Sequence, residues 1–151
     1  YAILILKKFL EEPDGWIENK LNSCLVLSCC YQAMGENAAA FDILFYSFTM
    51  DVPRAEICCE IGRLFMEKRE YVTAAYWYQQ ALLAPRKKKN GGFYIADSHD
   101  FIPAIQMCVC LDKAGRHREA FEFHKKARVL KPLHQAVIGN EKYFRDVWGM
   151  E

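Results

Sequence analysis

Apolar residues recur along this chain at the three- and four-residue spacing of helices that bury one face. Short polar turns interrupt the pattern, and a proline follows three of the apolar segments: Pro53, Pro85 and Pro132. Because proline cannot continue a helix, each of these residues indicates where a helix has ended. The pattern therefore predicts an all-α chain of short helices.

One arrangement of small, large and proline positions occurs three times. It is clearest between 113 and 132, at Gly115, Ala120, His124, Ala127 and Pro132. This arrangement resembles the second half of a tetratricopeptide (TPR) repeat, a helix-turn-helix unit of about 34 residues. The same frame predicts three full repeats, which are 21–54, 55–88 and 101–134.

The residue types give the repeats a physical basis. Small residues allow the two helices of a pair to approach closely, as at Gly62, Ala40, Ala74 and Ala120. Since one pair cannot bury its apolar face alone, neighbouring pairs must stack. We therefore predict a right-handed superhelical α-solenoid of TPR repeats. The units depart from the TPR pattern where tryptophan and glycine are usual, at Cys24, Cys58, Ala104, Ser28 and Cys108.

Two further helices flank the repeats. Residues 1–14 are predicted to be the second helix of a preceding, partial repeat that ends at the sequence "PDG". Because its partner helix is missing and the chain starts with Tyr1, we expect this chain to be a piece of a longer one. Residues 135–149 are predicted to form a helix that caps the third repeat through Val137, Tyr143, Phe144 and Trp148.

The segment 89–100 is an insertion between the second and third repeats, within the sequence "RKKKNGGFYIADSHDFIP" (86–103). Its basic and glycine-rich front half is predicted to be a solvated turn. Phe93, Tyr94 and Ile95 are too apolar for a linker, so we predict that they fold back on the helices or the groove. The following "DSHD" sequence can cap the next helix through Asp100 or Ser98, or can bind a metal or relay protons; capping is favoured.

Composition argues against several functions. The 20 basic and 19 acidic residues give a net charge of +1, which is no basis for binding nucleic acid. No apolar stretch approaches the roughly 18 residues of a membrane span. The seven cysteines lie in apolar runs without zinc-site or redox spacing, which favours reduced core cysteines in a cytoplasmic protein. No catalytic motif, metal site or cofactor site is recognisable, so we expect this chain to be non-catalytic.

The remaining candidate for function is the concave groove that the first helix of each TPR unit lines. By the TPR pattern its inward positions are Asn22, Leu25, Cys29, Gln32, Glu56, Cys59, Arg63, Met66, Ile102, Ile105, Val109 and Asp112, and Phe93 and Tyr94 of the insertion join them. This mixture of apolar and charged groups suits a peptide, a loop or another domain. It differs from the carboxylate clamp of TPR co-chaperones, because Leu25, Cys29 and Glu60 replace the basic or amide groups of that clamp.

A more specific resemblance covers most of 53–144. The sequences that carry it are "PRAEICCEIGRLF" (53–65), "AAYWYQQAL" (74–82), "GGFYIADSHDFIPAIQMCVCLDKAG" (91–115) and "KP…GNEKYF" (131–144). They resemble TPR regions that follow a family-two (GT-A type) glycosyltransferase domain in bacteria. The resemblance implies that this chain is the C-terminal part of such an enzyme, whose sugar and metal sites lie upstream.

Two functions follow from these observations. The first is an interaction module that binds a protein or peptide partner, or the catalytic domain of its own chain. The alternative is a direct contribution to acceptor or sugar binding by the insertion. Self-association through the exposed ends of the repeat stack is a third, weaker hypothesis.

Overall fold

The computed structural model describes residues 1–86 and 92–151. Within these two ranges the chain forms eight α-helices, two short 3-10 helices and no β-strand. The α-helices are α1 (Ala2–Glu11), α2 (Ile17–Ala33), α3 (Asn37–Tyr46), α4 (Ala55–Glu67), α5 (Tyr71–Leu83), α6 (Phe101–Lys113), α7 (His117–Leu130) and α8 (Gln135–Trp148). The 3-10 helix Ser47–Thr49 extends α3, and the 3-10 helix Ala96–His99 precedes α6.

The connections α2–α3, α4–α5 and α6–α7 have one backbone geometry. In each, the middle residue of a three-residue turn has a positive φ: 75° at Gly35, 59° at Arg69 and 83° at Gly115. The next residue donates its N–H to the last turn of the first helix, as Glu36 does to the carbonyl of Tyr31 (2.8 Å). This is the Schellman ending, which satisfies carbonyls that the helix leaves unpaired.

These three turns also show the spacing of the repeats. Gly35 and Arg69 are 34 residues apart, whereas Arg69 and Gly115 are 46 residues apart. The difference is the insertion between the second and third helix pairs. Helices α4 and α5 lie within 55–88, and α6 and α7 lie within 101–134. Consecutive helices pack on one another along the chain, so the predicted all-helical solenoid is confirmed.

The core lies both within the helix pairs and between them. Ala40, Ala74 and Ala120 are completely buried. A Cβ atom added to Gly62 on α4 would lie 2.9 Å from the ring of Tyr78 on α5. The absence of a side chain at Gly62 therefore lets the large Tyr78 ring fill the space within the pair.

The first full helix begins earlier than predicted. Helix α2 starts at Ile17, whereas the repeat frame placed its start at 21. Glu18 lies in this additional first turn, where it accepts two hydrogen bonds from the distant Arg54, at 2.8 and 3.0 Å. A carboxylate in the first turn also interacts favourably with the helix dipole. Before it, α1 packs on α2 through Leu10 and leaves Leu4 and Ile5 exposed.

Helix α8 covers the end of the third pair. Its Val137 and Phe144 side chains are buried. Tyr143 donates its hydroxyl to Asp112 (2.8 Å), and the Trp148 ring stacks on His117 with 3.8 Å between ring centroids. These contacts agree with the predicted capping role, and Gly149 ends the helix in a left-handed conformation.

The insertion is described from Gly92 onward. Its predicted basic and glycine-rich turn at 87–91 lies outside the described residues, as do the predicted end of the second repeat and the start of the insertion. Arg86, just before this gap, forms an ion pair with Asp100 (3.0 Å). Asp100 also accepts the backbone N–H of Phe101 (2.5 Å), which confirms the predicted cap of α6.

Candidate interaction groove

Helices α2, α4 and α6 are the first helices of their pairs, and together they line a cavity of about 230 Å³. We call it the central cavity. Its lining residues are Leu25, Glu56, Cys59, Glu60, Arg63, Tyr78, Ile95, Ser98, Ile102 and Gln106. The first helices of the three pairs therefore share one face.

The insertion forms one wall of the central cavity. The Phe93 N–H donates to Glu18 (3.1 Å), and two residues later the Ile95 N–H donates to Glu56 (2.9 Å). The Cys59 thiol donates to the carbonyl of Ser98 (3.3 Å). Alternate backbone amides of a stretched segment thus bind carboxylates of α2 and α4, much as a bound peptide would.

The side chains of the insertion also fold back on the protein. Phe93 packs against the apolar cluster of α1 to α4, and the Tyr94 ring stacks on His99 with 4.7 Å between centroids. A Cβ atom on Gly92 would lie 2.8 Å from Glu18, so the insertion runs very close to α2. The prediction that Phe93, Tyr94 and Ile95 fold back is confirmed, although the Ile95 side chain remains 48% exposed.

A second hollow lies beside the central cavity, between the start of α2 and the insertion. Its volume is about 340 Å³. Aromatic, amide and carboxylate groups line it: Trp16, Glu18, Asn19, Asn22, Leu25, Gly92, Phe93, Tyr94 and Ile95.

A polar network crosses the central cavity from α2 to α4. The Gln32 amide donates to Glu60 (3.0 Å), and the Arg63 guanidinium donates to Glu60 (2.6 and 3.1 Å), to Glu67 (2.5 Å) and to Gln32. Burial alone would raise the pKa of Glu60, but the hydrogen bonds from Arg63 and Gln32 outweigh it and lower that pKa below its ordinary value. Hydrogen bonding to Glu60 likewise raises the pKa of Arg63.

Glu56 is a deeply buried carboxylate of the cavity. Its side chain is 1% exposed, and its Oε1 atom lies 3.3 Å from Nε2 of the buried His99. Its neighbour Arg54 is buried against Glu18 and Asp51, and hydrogen bonds to Glu18 first and to Asp51 raise the pKa of Arg54. The same Oε1 atom of Glu56 accepts the Ile95 N–H, so Glu56 binds the chain's own insertion through one oxygen.

The structure brings together only part of the predicted groove. Leu25, Glu56, Cys59, Arg63 and Ile102 line the central cavity. Asn22, Phe93 and Tyr94 line the adjacent hollow, and Gln32 joins through its hydrogen bonds. Val109 and Asp112 lie elsewhere, in a hollow of about 190 Å³ between α6 and α8.

Two predicted groove residues are corrected by the structure. Ile105 is buried in the apolar cluster that includes Ala127 of α7 and Val137 of α8. Met66 packs against the large apolar cluster of α4 to α8 rather than lining the cavity. Each lies three residues after a cavity residue, Ile102 or Arg63. Three residues leave a side chain about 60° around the helix from the cavity residue, which places it at the edge of that face, where the neighbouring helices pack.

The cysteine prediction needs a similar correction. Cys24, Cys58, Cys59, Cys108 and Cys110 are buried, but Cys30 is half-buried and Cys29 is exposed. Burial raises the pKa of Cys24 to about 11 and the pKa of Cys58, Cys108 and Cys110 to about 12. Five cysteines thus behave as small core residues, whereas Cys29 lies on the surface outside the residues that line the central cavity.

Several cavity residues were missed by the sequence reasoning. Gln106 follows Ile102 by four residues, so helical periodicity could have identified it. Glu60 was considered only as a departure from the carboxylate clamp, although it follows Glu56 by the same spacing. Ser98 and Ile95 reach the cavity because of the path of the insertion, and Tyr78 reaches it from the second helix α5 past Gly62. No spacing rule predicts those three.

Other chemistry finds little support in the described part of the chain. Within 1–86 and 92–151, no group of three or more His, Cys, Asp or Glu side chains is arranged to hold a metal ion. No helix in these ranges is both long and apolar enough to cross a membrane. His124, one of the positions of the third repeat, is buried beside Phe121 and Phe144 and pairs with Glu141 (2.7 Å).

The stacked pairs and the face of first helices define a TPR-like helical-repeat protein. No protein-family model matches the sequence, and no curated protein is significantly similar to it. Among solved structures, the crystal structure of MamA is similar, with a TM-score of 0.64 and 23% sequence identity. The match covers 95% of this chain and 78% of the MamA chain. At this identity the likeness supports the fold alone.

Proposed function

We propose that this chain is a protein-interaction module whose central cavity receives a segment of polypeptide. The observation that carries the proposal is the way the chain's own insertion binds the same face. Its extended backbone donates alternate N–H groups to Glu18 and Glu56. A face that binds an extended segment of its own chain in this way is the kind of surface on which extended peptides bind.

The composition of the cavity agrees with a polypeptide ligand. Leu25, Ile95 and Ile102 offer apolar surface, and Gln106, Glu60 and Arg63 offer polar groups at the same opening. Binding sites commonly combine a mostly apolar lining with a few polar groups that fix the ligand's orientation. The partner is then a separate protein or another domain of the same chain.

The resemblance to glycosyltransferase-associated repeats stays a proposal about the parent protein. It makes an upstream catalytic domain one candidate partner for the cavity. A second candidate function is binding of a sugar or acceptor, which the hollow beside α2 favours. There the rings of Trp16 and Tyr94 stand near the amides of Asn19 and Asn22. A location in the bacterial cytoplasm is likewise proposed, from this resemblance and from the cysteine content.

A peptide selection tests the proposed function. A displayed library of random peptides is selected on the 151-residue chain, and the binders are measured on two variants. Gln106→Arg places a charge in the central cavity, whereas Val72→Arg places the same charge at an exposed site on α5. Binding that is weakened by Gln106→Arg alone supports the proposal. Binders that are weakened only by Val72→Arg would contradict it.

Titration with nucleotide sugars separates the second candidate. Binding that is lost in Trp16→Ala and Asn22→Ala would favour the sugar-binding function. An absence of sugar binding, together with peptide binding in the central cavity, would reject it.

A further inference from the structure

We infer that the central cavity is a binding site for an alkylammonium group, presented as a lysine side chain of the bound polypeptide. The inference rests on the proposed function, because that function supplies the polypeptide. It adds the chemistry by which the cavity recognises its ligand. Three features carry it: a carboxylate oxygen without a partner, an excess of carboxylates and apolar walls.

The first feature is Oε2 of Glu56. The Glu56 side chain lines the cavity, and its other oxygen accepts the Ile95 N–H and faces His99. Oε2 is buried and has no hydrogen-bond partner among the described residues. A buried carboxylate oxygen without a donor is costly, by about 1–3 kcal/mol or more for a charged group. A ligand that brings a donor to this atom would remove that cost.

The second feature is the charge around the opening. Glu60 lies one helical turn after Glu56, and both side chains line the cavity. Among the described residues that line the cavity, Arg63 is the one with a cationic side chain. Its guanidinium donates hydrogen bonds to both Glu60 and Glu67. Two carboxylates, Glu56 and Glu60, therefore line the cavity with one arginine that is shared with Glu67, so a further cation is favoured over an anion.

The third feature is the apolar lining. Leu25, Tyr78, Ile95 and Ile102 stand around the same space as the two carboxylates. The volume of about 230 Å³ corresponds to several water molecules at about 30 Å³ each. It can therefore receive a long, narrow side chain, whose methylene groups would contact these walls while its head reaches the carboxylates.

An ammonium suits this site better than a guanidinium. Arginine gains most from carboxylates that accept two parallel hydrogen bonds. Glu56 cannot accept two parallel hydrogen bonds, because its Oε1 atom already accepts the Ile95 N–H of the insertion. An ammonium is a compact charge with three rotatable donors, so a single oxygen is enough. A metal ion is a poor alternative, since no metal-binding group of three side chains exists within the described ranges.

The test compares three capped pentapeptides that differ only at the central residue, which is lysine, Nε-acetyl-lysine or norleucine. Butylamine is titrated separately, to distinguish a free amine from a peptide side chain. Binding is followed by NMR through the isoleucine methyl groups of the 151-residue chain. We expect the lysine peptide to bind about tenfold more tightly than the other two, corresponding to about 1.4 kcal/mol. The shift changes should centre on Ile95 and Ile102.

Two variants identify the carboxylates. Glu60→Gln leaves the hydrogen bonds to the insertion in place and should remove most of the preference for lysine over acetyl-lysine. Glu56→Gln should do the same, with a circular dichroism spectrum recorded to verify that it folds. Glu119→Gln is the matched control, because Glu119 is exposed on α7 and pairs with Arg116. It should leave the affinity for the lysine peptide unchanged.

Equal binding of the lysine and norleucine peptides in the cavity would overturn the ammonium site, but the proposed polypeptide groove would stand. Failure of all three peptides to bind would also overturn it, and the library selection would still decide the proposed function. Binding of lysine that neither carboxylate variant weakens is a third contradicting result.

Discussion

Replacing Arg69 with glycine should stabilise this protein. Arg69 has a φ of 59°. In the described part of the chain, every other residue with a positive φ is a glycine. Gly35 and Gly115 occupy the same turn position in the other two helix pairs. A left-handed conformation costs a residue with a Cβ atom roughly 1–2 kcal/mol. Glycine avoids this cost but loses about 0.5–1 kcal/mol through the greater freedom of the unfolded chain.

The balance predicts that Arg69→Gly raises the free energy of unfolding by about 0.5–1 kcal/mol. For a protein of this size the melting temperature should rise by roughly 1–4 °C. Urea unfolding followed by circular dichroism measures the first quantity, and a thermal scan measures the second.

Two control variants test the same reasoning in the opposite direction. A Cβ atom on Gly35 or Gly115 would meet nothing within 4 Å, so any effect of alanine there comes from the backbone conformation. Gly35→Ala and Gly115→Ala should each destabilise the protein by about 1 kcal/mol. A less stable Arg69→Gly variant, or neutral alanine variants, would refute the assignment of three equivalent turns.

Three further predictions concern the cavity and its surroundings. Phe93→Ala should lower the free energy of unfolding in urea by about 1–2 kcal/mol, because Phe93 is only half-buried; an unchanged value would show that the insertion is a loose linker. Because the pKa of Glu60 is lowered from 4.5, its stabilisation should be complete above that value and lost as the pH falls through the folded pKa. The stability difference from Glu60→Gln should thus shrink in acid, and a constant difference would contradict it. Cys29 should react first with a maleimide, and mass spectrometry that finds Cys58 labelled first would contradict the burial described here.

The repeat architecture could be predicted from sequence because it depends on local spacing. Gly35 and Gly115 adopt the positive φ of the turns, and Ala40 and Ala74 allow the two helices of a pair to approach closely. Pro85 follows the end of a helix. Each of these residues acts within its own pair or its next neighbour. The start of α2 was misplaced because it depends on Glu18 and its hydrogen bonds to the distant Arg54.

The candidate site was harder to predict, because it depends on contacts between distant segments. The TPR pattern placed Leu25, Glu56, Arg63 and Ile102 on one face, where they line the central cavity, but it could not show which face of α6 is covered by later helices. Ile105 was misassigned for that reason. The route of an irregular segment such as 92–99 follows no periodicity.

The most direct test of the proposed interaction groove maps a bound polypeptide onto the structure. NMR shift changes of backbone amides and methyl groups are measured as a selected peptide is added to the 151-residue chain. The largest changes should occur around the central cavity, at Leu25, Ile95, Ile102 and Gln106. Changes centred instead on exposed residues of the second helices, such as Val72 and Tyr76 of α5, would contradict it.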